Sequence, residues 1–529
     1  MTKALRSIPV YLVFFLVIVI LFTQKANYHV DEIWSYGLAN YDGASVMLAE
    51  SGKKYDNPEE PFLDWMTVQE DQRFDYSKVW ENQRNDNHPI LFYTLLHTIC
   101  SFFPGMFSKW FGAAINLAFA MVLLFYLRKL IYLFTHSRKI QTILSVGFIL
   151  VYGIVNATVF IRMYIMAMCW VVMLTYFALR LLDKLMDRQP EAHLSDHPLW
   201  YHLFRTAAVT LFGALTHFYF IIYVVALTIG MATYLLINNK WKPAMLVLGV
   251  EVLAGVLSLA VFPSMIEMVF KKDRGAEAVN NLHDTSGDLH NIYTYLKIID
   301  QEMFGGFLLL CLGVMVVPAI IYFFDKKPKD TFSISWMYYF VLAFPIVFYT
   351  IIVGISSPNQ LNRYVYILYP ILYAAVFSLV SSLLNYVFRG NKKLVPMIVG
   401  ALLSVCLISS YFLDNANHFE YLYRDYPAKE KIAKQYEDYN CLCVYRYYHQ
   451  RMFLYEEAKN YKSITFLKST ELDKLDDLDI KNDEKLILVE IDEQPGDNVL
   501  LKISKSFKHI SKSVELFETF HTSHTYLLS

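Results

Sequence analysis

IPVYLVFFLVIVILFT (residues 8–23) followed by HVDEIWSY (residues 29–36) is the stretch from which the rest of this chain is read. The first run is apolar almost throughout, and the second places Asp31 and Glu32 a few residues beyond its end. Carboxylates in or beside hydrocarbon are expensive to keep there, so two adjacent ones at the end of a membrane span call first for a functional explanation. The plain alternative is that they solvate a loop, or that Asp31 caps a helix running from Ile33 to Leu38. Lys3 and Arg6 precede the run as they would in a signal peptide. Gln24-Lys25-Ala26-Asn27 carries no small-residue cleavage pattern, so the segment reads as a retained anchor.

Working outward, 56% of the 529 residues are hydrophobic and the mean hydropathy is +0.33. That composition specifies a polytopic α-helical membrane protein and excludes an ordinary soluble domain. A formal net charge of -1 supplies no basic field, so nucleic acid is not an expected partner. The 39 tyrosines suit membrane interfaces and stacking against sugar-like ligands. Cys100, Cys169, Cys311 and Cys406 lie in apolar segments, and Cys441 and Cys443 alternate within a strand-like run. Neither a disulfide framework nor zinc spacing follows from them.

Apolar windows give roughly eleven spans, near 8–24, 106–127, 141–158, 160–182, 199–217, 219–237, 242–262, 304–324, 333–355, 364–388 and 394–413. Basic residues fall on every second connection: Lys3/Arg6, Arg128/Lys129/Arg138/Lys139, Lys184/Arg188, Lys240/Lys242, Lys326/Lys327/Lys329 and Arg389/Lys392/Lys393. The positive-inside bias then sets the amino terminus in the cytoplasm and the carboxyl terminus outside. Residues 90–103, between Pro89 and Pro104, are too short to span and read as an interfacial or re-entrant helix on the outer face.

The transmembrane domain is therefore expected over 1–413. It carries a first outer loop at 25–88, with amphipathic helices at 32–40 and 62–71, and a second at 264–303. The second loop includes Lys271-Lys272-Asp273-Arg274 and Asn280-Asn281-Leu282-His283-Asp284. From 414 to 529 the composition turns soluble and helical stretches alternate with strand-like ones at 441–446, 463–467 and 485–491, predicting a small extracytoplasmic α/β domain.

Polar residues gather at the outer span ends: Asp31 and Glu32, Asn87-His88-Pro89, Arg162 and Tyr164, His217, and Asn362-Arg363-Tyr364. Singly each has an ordinary explanation, since arginines snorkel to headgroups and His217 suits a hairpin cap. Two acids, two arginines and two histidines on one face point instead to a site. A carboxylate at the water boundary takes a proton from an attacking hydroxyl, and arginines there bind and stabilise a leaving phosphate. Only one of Asp31 and Glu32 is expected to face such a site, because successive helical side chains point about 100° apart. The choice falls on Asp31.

HVDEIWSYGLA, NDNHPILFYTLLH, IRMYIMA, LTHFYF and NRYVYILYP, in that order, resemble the GT-C membrane glycosyltransferases. The likeness is particularly to bacterial members similar to protein O-mannosyltransferases and the lipid A aminoarabinose transferases, and it covers roughly residues 5–390. It implies a GT-C fold and inverting transfer of a sugar from a polyprenyl-phosphate donor to an acceptor hydroxyl at the outer face of a bacterial plasma membrane. Asp31 matches the family's catalytic acid, with Glu32 beside it. His88 matches the His-Pro-Pro-Leu-like stretch, with Ile90 replacing the second Pro, and Arg162 and Arg363 match the arginines at the donor phosphate. His217 matches the Thr-His-aromatic hairpin, and Tyr164 and Tyr364 adjoin these positions as substrate-binding candidates.

The partners implied are the polyprenyl-phosphate sugar, membrane lipid, and a glycolipid, wall polymer or protein as acceptor, although no repeat domain for a protein acceptor is evident. Asp31, Glu32 and Asp86 are the acids available to a divalent metal, but monophosphate-using relatives generally need none, so neither metal nor cofactor is expected. Two other readings compete. A transporter or flippase of lipid-linked sugars would bury charges at midspan on broken helices. A diphosphate-donor ligase or polymerase would centre on arginine and histidine.

Overall fold

The computed structural model describes residues 8–43, 46–188, 197–270, 273–281, 288–325, 334–389, 391–413, 419–424, 426–480, 485–491, 497–510, 512–518 and 523–529. Lys3, Arg6, Lys271, Lys272, Leu282, His283, Asp284, Lys326, Lys327 and Lys329, used above to argue topology and loop character, lie outside them. The chain divides into two compact units. The first comprises residues 1–22, 86–92 and 112–419, and the second residues 23–85, 93–111 and 420–529. The linear boundary expected at 413/414 is thus not the one the fold draws. Most of the first long loop belongs to the same unit as the chain's tail, because its backbone completes that unit's sheet.

The first unit is helical. Among the described residues, seven helices are long and apolar enough to cross a membrane: 109–135, 164–185, 218–237, 241–261, 336–356, 366–387 and 394–412. They make this a multi-pass membrane protein. Their outward faces carry side chains that water would not tolerate in such number, Val252, Leu253, Val347, Ile408 and Phe412 among them.

One expected span, 141–158, is not a single rod, and another, 304–324, is preceded by a second arm in the expected outer loop 264–303. Residues 138–149 and 152–159 meet at 57°, and 289–304 and 308–324 meet at 81°, so the count is seven, or nine if each bent pair crosses once. The rest of the shortfall from the expected eleven comes from Ile8–Gln24 and Leu199–Ala214, of 17 and 16 residues. At ~1.5 Å per residue they reach only about 25 Å, less than the ~30 Å of a hydrocarbon core.

The sharper bend has a visible cause. The helix ends in a π-turn, Asp300–Phe304, closed by Gly305 and Gly306 with φ of 61° and 81°. Left-handed backbone of this kind is cheap only for glycine. Asp300 then accepts the Leu308 N–H through Oδ1 at 2.8 Å and so starts the next helix.

The second unit is built on a six-stranded mixed sheet. Its strands are β1 (Lys54–Tyr55), β2 (Asn440–Tyr445), β3 (Ser463–Lys468), β4 (Leu486–Ile491), β5 (Ser513–Glu518) and β6 (Ser523–Leu528), in spatial order β1-β3-β2-β4-β6-β5. β2 runs parallel to β3 and β4, and the other pairings are antiparallel. β2 and β4 are buried along their whole length, which is why they read as continuous apolar runs. β1 comes from the first long loop and pairs Lys54 with Thr465 and Tyr55 with Ile464. That loop also forms helices at Val30–Asn40 and Glu60–Met66, near the two expected, and a third at Tyr76–Asn85 that hydrophobic patterning missed.

Candidate functional site

In the first unit the polar residues singled out from the sequence gather around one turn. Asn116 donates to the carbonyls of Thr158 and Phe160 at 2.9 and 2.7 Å, and the Arg162 N–H closes a tight turn on the Phe160 carbonyl at 2.7 Å. This fixes Arg162 at the head of the helix Tyr164–Leu185. Trp170 on that helix donates through Nε1 to Thr216 at 3.0 Å, and the Leu91 N–H donates to the Leu215 carbonyl at 2.9 Å. The His88 segment, the Arg162 turn and the His217 turn are thereby drawn together.

The side chains follow. A guanidinium only donates, so the 3.2 Å contact between Arg162 Nη2 and His88 Nε2 makes Nε2 the acceptor. His88 therefore carries its proton on Nδ1 and donates it to Asp86 Oδ2 at 2.8 Å. Burial alone would raise the Asp86 pKa, but His88, the Arg162 charge and the Asn87 N–H hold its carboxyl below the usual range. His217 caps the helix Phe218–Ile237 by accepting the Tyr219 N–H through Nδ1 at 3.1 Å. Burial first, then His88 and Arg162, push its pKa well below the usual imidazole value, so the ring is neutral at pH 7.

Tyrosines extend the cluster. The Tyr164 ring lies 5.4 Å from His217 and 5.8 Å from Tyr366, and Tyr219 lies 5.3 Å from both His217 and Tyr364. Arg363 is within electrostatic reach of Tyr219 and Tyr295. Sequence reading missed Glu302 altogether. From the π-turn it accepts Asn362 Nδ2 at 2.9 Å and the Tyr369 hydroxyl at 2.8 Å, anchoring the segment that carries Arg363. Gly153 allows this approach, since a Cβ there would come 2.9 Å from Glu302 Oε2 and 2.5 Å from the Tyr369 ring. Asp300 and Glu302 ahead of Gly305-Gly306 were the sequence signal: acids at a glycine-marked break in an apolar run.

In the second unit the two adjacent carboxylates have different fates. Glu32 is buried, accepts the His29 N–H at 2.8 Å as half of a capping box, and pairs with buried Lys25 at 2.8 Å. Lys25 also donates to the Tyr421 carbonyl at 2.5 Å, and its own carbonyl accepts from Lys109 at 2.7 Å. Asp31 instead keeps 19% of its side chain exposed, with Oδ2 3.8 Å from His29 Nδ1. The helix cap is His29, whose Nδ1 accepts the Asp31 N–H at 3.1 Å, and not Asp31. Among the described residues no group of three or more His, Cys, Asp or Glu side chains is arranged to hold a metal ion.

No family model matches the chain, and no curated protein does. Among solved structures the chain is similar to ArnT from Cupriavidus metallidurans bound to undecaprenyl phosphate. The identity is 10%, 96% of this chain and 97% of that one are covered, and the TM-score is 0.47. It is also similar to the same protein in the apo state, at 11% identity, with 99% and 98% covered and a TM-score of 0.43.

Proposed function

We propose that this chain is a membrane glycosyltransferase that moves a sugar from a polyprenyl-phosphate donor to an acceptor hydroxyl at the outer face of the plasma membrane, with inversion. The observation that carries this reading is the division of roles between Asp31 and Glu32. One carboxylate is fully buried in an ion pair and a helix cap, and its neighbour keeps 19% of its side chain exposed, within reach of an acceptor hydroxyl whose proton a carboxylate can take.

In the proposed reaction Asp31 takes the acceptor O–H proton, and the oxygen bonds to the sugar's anomeric carbon from the face opposite the phosphate. The bond from that carbon to the phosphate oxygen breaks, and polyprenyl phosphate leaves with the electron pair. Arg162, oriented through His88 by Asp86, and Arg363, on the segment held by Glu302, are the cations assigned to the phosphate. Tyr164, His217 and Tyr364 line the same cluster. No step is assigned to a metal or organic cofactor.

One observation favours a transporter as second reading. Glu251 sits midway along the helix Trp241–Val261, accepts the Thr210 hydroxyl at 2.7 Å, and faces an apolar cavity of about 510 Å³ lined also by Ile221, Val225, Leu248 and Met265. Intramembrane carboxylates are a transporter's equipment. The cavity itself suits isoprenoid hydrocarbon under either reading.

Radiolabel transfer from a polyprenyl-phosphate-sugar pool in membranes separates the two. Wild type is expected to transfer label and Asp31→Asn to lose about 10²- to 10⁴-fold in rate while still folding. Full activity in Asp31→Asn, or label that crosses the membrane without changing acceptor, would sink the enzyme reading.

A further inference from the structure

In the second unit, Arg446-Tyr447-Tyr448-His449 leave β2 and turn outward as a run of exposed residues between buried Tyr445 and buried Gln450. Tyr447 and Tyr448 are each 48% exposed. The loop is nevertheless pinned, since Gln450 Oε1 accepts the N–H groups of both Arg446 and Tyr447, at 3.1 and 2.8 Å.

The rings on this loop are aligned. His449 lies 8° from parallel with Tyr447, centroids 5.9 Å apart, and 10° from parallel with Trp34, centroids 6.4 Å apart. The Arg446 guanidinium lies 5.4 Å from the Tyr447 ring centroid. Trp34 stands one helical turn beyond Asp31 on Val30–Asn40, so the two are surface neighbours, and that helix packs on the turn Tyr448–Leu454. Three displaced, nearly parallel rings with polar edges therefore make a terrace that ends at Asp31.

We propose that this terrace is the acceptor subsite and that the acceptor is a saccharide, lying on Trp34, His449 and Tyr447 with the hydroxyl to be glycosylated directed at Asp31. A sugar ring matches it chemically. Its C–H face packs on the negative face of an aromatic ring, while its rim hydroxyls meet the tyrosine hydroxyl, imidazole and guanidinium at the edges. Rings that merely anchor a protein in the headgroup layer act one by one and need no common orientation. The proposal narrows the acceptor classes left open above, and its link to Asp31 rests on the transferase reading.

The test needs no donor. Full-length protein in nanodiscs is titrated with a panel of oligosaccharides and read by saturation-transfer NMR, using wild type, Tyr447→Ala, His449→Ala and, as an exposed aromatic elsewhere in the unit, Trp80→Ala. Wild type and Trp80→Ala are expected to bind alike, and the other two variants to weaken binding roughly tenfold. Wild type binding no oligosaccharide, or all four proteins binding equally, overturns the proposal. So does a pattern in which Tyr447→Ala and His449→Ala lose association with phosphatidylglycerol vesicles and keep saccharide binding, which would make the rings a membrane anchor. Because donor is absent, failure here is separate from failure of sugar transfer.

Discussion

Lys25 and Glu32 show how a residue that looks catalytic in sequence is claimed by structure. Burial pulls the Lys25 ammonium below its usual pKa and the Glu32 charge restores part of it, so each depends on the other. Glu32→Gln leaves a buried ammonium without its counter-charge and is expected to cost about 3–5 kcal/mol. Thermal unfolding should report it as a large drop in midpoint, and Asp31→Asn should lower the midpoint less. If the two variants unfolded alike, the separation of roles would be wrong.

His217 supports a pH prediction at the same scale. Its folded-state pKa lies below the unfolded ~6.5, so the unfolded chain binds more protons and stability falls as pH drops below about 6.5. Asp86, also depressed, contributes stability that is present above its unfolded ~3.9 and lost only at lower pH. Asparagine keeps an N-cap acceptor without titrating, so His217→Asn should flatten the decline in melting temperature between pH 7 and pH 5.

The broken helix ending at Gly305 is the element that carries most of what the patterning missed. Hydrophobic windows detect an apolar run whether or not it bends, which is why 141–158 read as one straight span, and they pass over a more polar arm such as 289–304, which read as part of the outer loop 264–303. At Gly305 the left-handed φ of 61° is joined by close approach, since a Cβ would lie 2.3 Å from the Cys406 carbonyl. Gly305→Ala is expected to destabilise by about 1–3 kcal/mol from backbone strain, with more from the clash. It should also disturb Glu302 and hence the Asn362–Tyr364 segment. Thermal unfolding measures the first effect and weakened binding of polyprenyl phosphate the second. An alanine variant equal to wild type in both would contradict the account.

At the scale of the whole molecule, the second unit is assembled from segments hundreds of residues apart. Buried Arg451 donates to the carbonyls of Ala49 and Met47 at 2.7 and 2.6 Å, next to the β1–β3 pairing. Arg451→Met should strand those carbonyls at about 1–3 kcal/mol each and loosen the early loop. Faster hydrogen exchange over residues 46–56, with the helices of the first unit unaffected, is the expected result, and unchanged exchange there would refute it.

What the sequence determined by itself was local and repetitive. Apolar length specified membrane helices, alternation and turn residues located β2, β3 and β4, and polar residues at span ends marked His88, Arg162 and His217 before any contact was visible. Tertiary structure decided whatever depends on a distant partner. Glu32 became structural because Lys25 folds onto it, Glu302 entered the cluster because Asn362 and Tyr369 close on it, and the early loop joined the tail because β1 had open hydrogen-bonding groups to satisfy on β3. Periodicity is a property of neighbours along the chain, whereas the environment that assigns a carboxylate its role is built from residues that only the folded backbone makes adjacent.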